Sequence, residues 1–128
     1  MRTTKHLTLS IFLILFSCAS LVAQVKVKRG AVVYTGSASN TSAPATVDEK
    51  KLREATPEWQ TIKDEDIDPS SARGKQLIVK MNKRIREAVK SVASNESRDM
   101  VTRKKDLTDA QGKEVVDLTD KVVDEIDS

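Results

Sequence analysis

The sequence predicts an α+β fold in which a small sheet packs against one long amphipathic helix, behind an N-terminal signal helix. Three observations carry this expectation. Apolar residues recur at helical spacing from Leu77 to Val92, valine-rich runs lie on both sides of that stretch, and the first 23 residues differ in composition from everything after them.

The N-terminal segment has the three parts of an export signal. Arg2 and Lys5 form a positive start, Leu7 to Phe16 is almost wholly apolar, and Ser17 to Ala23 is rich in small residues. About ten apolar residues fall short of the roughly twenty that a spanning helix needs. Residues 1–23 are therefore expected to be removed after Ala23, which places the mature protein in the periplasm or outside the cell. Leu15-Phe16-Ser17-Cys18 also resembles a lipobox, so lipidation at Cys18 and a lipid-anchored protein form the alternative. Either way a sole cysteine excludes an internal disulfide, and the domain must hold together by packing.

The mature chain has 105 of the 128 residues, enough for one small domain. Its only aromatics are Tyr34 and Trp59. So small and aromatic-poor a domain has little core of its own, which favours self-association. Charge is unevenly placed. From Pro69 to Asn95 seven cations face one anion, Glu87, while Asp106 to Ser128 holds eight anions against Lys113 and Lys121. Two readings follow: a solvated basic helix neutralised by an acidic tail, or a basic surface for acidic partners.

The elements follow in order. Val25 and Val27 alternate with Lys26 and Lys28, so Val25 to Tyr34 predicts a strand with Gly30 as a bulge. Thr35 to Ala45 contains only Thr, Gly, Ser, Ala, Asn and Pro and predicts a flexible linker, so residues 24–45 form strand plus linker and 46–128 the folded domain. Thr46 and Glu49 have the spacing of a capping box before a short helix through Leu52 and Ala55. Pro57 suits the start of a further turn, where no backbone donor is needed. Asp68 and Pro69 open the long helix and Asn95 ends it. Met100 to Thr102 and Val115-Val116 read as strands around a turn at Asp109 to Gly112, and Thr119 caps a closing helix that carries Val122, Val123 and Ile126. The stripe Ile78, Met81, Ile85, Val89 and Val92 is either the core of one chain or the seam of an oligomer.

Catalytic chemistry is sparse. The one histidine, His6, lies in the signal, so Ser-His and Cys-His nucleophiles and histidine metal sites are excluded from the mature chain. Asp64, Asp66 and Asp68 open like a calcium loop, but Pro69 stands where glycine is needed and Lys75 where the bidentate glutamate belongs. No enzyme activity, cofactor or metal is expected. Nucleic acid is not an expected partner either, because no aromatic lies beyond Gln60 to stack on bases.

Arg84 to Ala93, Asp99-Met100-Val101 and Asp117-Leu118-Thr119-Asp120-Lys121-Val122-Val123 together resemble the closing third of the Skp/OmpH family of periplasmic chaperones, over residues 70–126. Val47-Asp48, Leu52 and Pro57 are a fainter echo of its first strand and outgoing helix. The resemblance implies a trimer with a sheet body and coiled-coil arms that hold unfolded outer-membrane proteins without catalysis. Family arms are long paired helices. Here about fifty residues separate Val47 from Ser97, interrupted by Pro57 and the acidic turn, so a short-armed variant is expected. Lys80, Lys83, Arg84, Arg86 and Lys90 carry over as candidate client contacts. The alternatives are an envelope-associated structural or interaction protein without chaperone activity, and a surface binder of anionic lipid through the same cations.

Overall fold

The computed structural model describes residues 23–128; the expected signal segment up to Val22, with Cys18 and His6, lies outside them. The first strand, β1 (Lys26–Val27), ends at a turn where Gly30 adopts a φ of +76° and Ala31 N donates to Lys28 O at 3.0 Å. The chain then enters β2 (Val33–Thr35). The single strand expected from Val25 to Tyr34 is thus two, because the left-handed conformation that glycine permits turns the chain instead of bulging it. They belong to different sheets: β1 pairs antiparallel with β5 (Leu107–Asp109), whereas β2 joins the main sheet.

The segment expected to be a linker is instead structural. After a short 3₁₀ turn at Ala38–Asn40, residues Pro44–Val47 form β3, and all four are buried. The small and hydroxyl residues are there for close approach. Asp99 accepts from Thr41 Oγ1, from Ser42 N and Oγ at 2.8 Å each, and from Ala43 N at 3.0 Å. Gly36, with φ +76°, lies so close to the backbone of Asp99 and Met100 that a Cβ would collide with it.

The main sheet has the order β2-β4-β3-β6, with β4 at Met100–Arg103 and β6 at Val116–Asp117. β3 runs parallel to both neighbours, while β2 is antiparallel to β4. Between β3 and β4 lie three helices, α1 (Glu49–Glu54), α2 (Pro57–Asp64) and α3 (Ala72–Asn95); α4 (Thr119–Asp127) closes the chain. Helix starts are set by local side-chain acceptors. Thr56 Oγ1 accepts from Trp59 N at 3.3 Å, with Pro57 in the first position of α2. At α1 the cap is Asp48, not Thr46, which the sheet retains; Asp48 Oδ1 accepts from Lys50 N at 3.0 Å. Ser71, not Asp68, caps α3, its Oγ accepting from Gly74 N at 3.0 Å. Thr119 is the first residue of α4 and caps nothing there; its Oγ1 accepts from Asp48 N at 2.9 Å and so ties α4 to the end of β3.

The core joins α3, α4 and one face of the sheet. Met81, Ile85, Ala88, Val89, Val92 and Ala93 pack with Ala45, Val47 and Val101 below, and with Leu118, Val122 and Ile126 alongside. The stripe is therefore the core of one chain and not an open seam for a second copy, since sheet and α4 already cover it; Ile78 alone sits half-buried at the margin. Replacing Ile85 by Asp places an unpaired carboxylate there at a cost of several kcal/mol. Circular dichroism is expected to show unfolding at low protein concentration and high alike, with no folded, dissociated species.

Asp99, Asp106 and Asp117 are among the carboxylates that make the fold sensitive to acid. Burial works to raise the pKa of Asp99, but the hydrogen bonds from Thr41, Ser42 and Ala43 outweigh it and hold the group well below its ordinary 3.8. Asp106 and Asp117 behave alike: burial is overcome at the first by Arg103 and the Val32 amide, at the second by Thr119 and Lys104. Folded values below unfolded ones mean that this stabilisation is complete above about pH 4 and is lost as the pH falls through the folded values. Asp99→Asn is expected to lower stability near neutrality by about 1 kcal/mol, a figure reduced for solvent exposure, and to flatten the acid limb of a urea-midpoint curve.

Candidate functional site

Helix α3 is longer than the sheet it covers. Its 24 residues extend about 36 Å, whereas the four residues of β3 extend about 13 Å. The C-terminal half lies on the sheet, and the N-terminal half is covered by α2 instead, forming a short helical hairpin. Ile62 of α2 is buried there and Trp59 is half-buried against the core.

A forked ion pair braces this hairpin. Arg84 Nε donates to Glu58 Oε1 and Oε2 at 3.1 and 3.0 Å, and Nη2 donates to Oε1 at 2.9 Å. Burial pushes the Glu58 carboxyl upward, but the Arg84 bonds prevail and hold it below the ordinary range. Arg84, one of the five candidate contacts, is thus committed to Glu58 within the chain. At the hairpin tip Arg73 pairs with Glu65 at 2.5 Å, and Ile67 N returns to Ile62 O at 3.0 Å. Of the acidic triplet, Asp68 accepts from Ser70 N at 2.8 Å and Ser70 Oγ at 2.7 Å, so it shapes the turn before α3.

The other four candidates, Lys80, Lys83, Arg86 and Lys90, are exposed on α3, Arg86 at the side of the helix where it borders a cavity with Tyr34, Glu49 and Arg53. Lys83 pairs with Glu87 at 3.9 Å. Lys80, Arg86 and Lys90 form no ion pair among the described residues, and neither does Lys75, a turn earlier on the same helix. Within this ridge Val79 is 67% exposed and, with Lys75, Gln76 and Lys80, lines a shallow depression of about 330 Å³. Lys75 and Val79 were not among the candidate contacts, although Val79 stands visibly off the stripe of Ile78, Met81 and Ile85.

The acidic C-terminal segment makes no ion pair with the ridge among the described residues. Helix α4 meets α3 through Ser91 Oγ, which donates to Glu125 at 3.0 Å, while Lys121 pairs with Glu96 at 2.7 Å just beyond α3. No α3 cation pairs with an α4 carboxylate among the described residues. No helix among the described residues is long and apolar enough to cross a membrane.

Fold and surface together define a small α+β domain with a short helical hairpin and a basic ridge along α3. Comparison with known proteins found no matching family model, no matching curated protein and no matching solved structure.

The hairpin depends on one glycine. At Gly74 the backbone of Asp68 and Pro69 passes so close that a Cβ would collide with the Asp68 carbonyl. Alanine in place of glycine stabilises an open helix by about 1 kcal/mol. Here the sign is expected to reverse, with Gly74→Ala lowering stability by about 1–3 kcal/mol in thermal denaturation.

Proposed function

We propose that this is an exported, non-catalytic holding protein of the Skp/OmpH type, which binds extended segments of unfolded envelope proteins along the outer face of α3. The observation that carries the reading is the ridge itself: Lys75, Lys80, Arg86 and Lys90 are exposed without ion-pair partners among the described residues, with the apolar side chain of Val79 between them. Unpaired cations attract acidic chains over a distance of about 10 Å at moderate salt, and an exposed apolar contact adds short-range affinity. The resemblance over residues 70–126 supports the same reading, and the α2–α3 hairpin corresponds to a short arm. So short an arm holds a client along one face instead of enclosing it. The trimer implied by the resemblance would have to use surfaces other than the α3 stripe, which the chain itself covers.

The test is dilution of a denatured, acidic outer-membrane protein into buffer, with aggregation followed by light scattering. The wild-type protein is expected to suppress aggregation at low salt and progressively less as salt rises. A variant with Lys75, Lys80, Arg86 and Lys90 all replaced by Gln should require at least tenfold more protein, a loss of about 1.4 kcal/mol. Its own stability should change little, because these side chains lie on the solvent face. No suppression by the wild type, together with salt-sensitive binding to anionic vesicles, would replace this reading with that of a lipid-surface binder.

A further inference from the structure

A second charged feature lies away from the ridge, where β3 and β4 end side by side with Val47 opposite Arg103. We infer that the cleft of about 520 Å³ at this edge is a binding site for a compact, multiply charged anion of the phosphate type. None of the α3 ridge cations lines it, so the inference does not rest on the proposed holding function. In sheets with parallel strands, ligands are characteristically held outside the carboxyl ends of the strands, and this cleft has that position and the size of a small-molecule site.

Five cations line the cleft: Lys50 and Arg53 from α1, and Arg103, Lys104 and Lys105 from the end of β4 and the 3₁₀ turn after it. Two acids accompany them. Asp48 is turned back on its own helix as the cap of α1. Glu49 is the hub, approached by Arg103 Nη1 at 3.0 Å, Arg53 Nη2 at 3.6 Å and Lys105 Nζ at 3.8 Å. Three cations thus converge on one resident carboxylate, and the residues that line the cleft are five cations against two acids.

The two arginines are held from behind. The side chain of Arg103 is only 18% exposed, and its Nε donates at 2.5 Å to Asp106, which also accepts from Val32 N at 3.0 Å. Arg53 lies over the Trp59 ring, 5.1 Å from its centroid. Lys104 and Lys50 stand at the rim, weakly engaged with Asp117 at 3.2 Å and Glu54 at 4.0 Å. A guanidinium held from behind with exposed ammonium groups around it suits an anion with several acceptor oxygens. A simple monocarboxylate would add nothing that Glu49 does not already supply. A phosphate-type anion brings a second charge and draws in the rim lysines.

Inorganic pyrophosphate, as a soluble probe, is to be titrated into the purified protein with backbone amide shifts as the readout, beside vesicles with and without phosphatidic acid. Saturable shifts are expected at 47–53 and 103–105, not along α3. Lys104→Gln/Lys105→Gln, at exposed positions, should weaken binding about tenfold, the order expected for a lost charge-assisted hydrogen bond. Glu49→Gln should tighten it by removing the competing carboxylate. Pyrophosphate binding with this pattern supports a free phosphate; vesicle binding alone, with the same dependence on Lys104 and Lys105, supports a phosphate headgroup. Shifts that fail to saturate, that centre on α3, or that are unchanged in the double lysine variant overturn the site. A variant with Lys75, Lys80 and Lys90 replaced by Gln, which leaves Arg86 beside Glu49 and Arg53 intact, should bind pyrophosphate as the wild type does, so failure here and failure of the holding function are separable.

Discussion

The parallel pairing of β3 with β4 is the constraint on which the rest of the molecule depends. Two parallel neighbours need a crossover that carries the chain back to the start of the sheet, and the chain between Val47 and Met100 is that crossover. A single helix matched to four-residue strands would have sufficed. The chain instead uses a 24-residue α3, and its overhang beyond the sheet must find another cover. Helix α2 is that cover, which is why Pro57–Asp64 folds back beside the start of α3 and why Gly74 admits the turn at Asp68. The hairpin follows from excess helix length, and the basic ridge is the face of that helix left to solvent.

The two basic regions differ in kind. Along α3 the cations are spaced on an open helical face, with Glu87 the one acid among them, an arrangement suited to weak, salt-sensitive contact with an extended chain. At the end of β3 and β4 the cations are gathered around Glu49 and steadied by Asp106 and Trp59, an arrangement suited to one compact ligand. Acidic groups accordingly do two jobs. Glu58, Asp99 and Asp106 organise the fold through specific hydrogen bonds, while Asp120, Asp124 and Asp127 form an exposed acidic surface on α4.

Much of the framework was legible in the sequence because it is local. The stripe from Met81 to Val92 marks the buried side of α3 and Asn95 marks its end, while Thr56-Pro57, expected to open only a further turn, starts the eight-residue α2. Met100 to Thr102 falls within β4, and Val116 opens β6 one residue later than expected. The errors are non-local. Thr35 to Ala45 read as a linker because small residues usually signal flexibility, yet they are small so that Gly36 and Ala43 can lie against residues 99 and 100. Thr46 lost its cap role to Asp48 because β3 claimed it, and no spacing rule contains that competition.

Of the candidate contacts, sequence placed Lys80, Lys83, Arg86 and Lys90 on one helix but could not separate them from Arg84, whose partner Glu58 lies 26 residues away. The cleft at Glu49 was invisible for the same reason, since its cations come from chain segments about fifty residues apart. By itself the sequence determined an α+β class, the helix that supplies most of the core, its basic outer face and the lack of histidine chemistry in the described chain. Those properties depend on residue type and on periods of a few residues. Only the tertiary structure decided that the apolar stripe closes within one chain, that α2 braces an overhang, and that three cations meet at Glu49. Each of these depends on which distant segments share a neighbourhood, and that is set by the parallel sheet and its crossover.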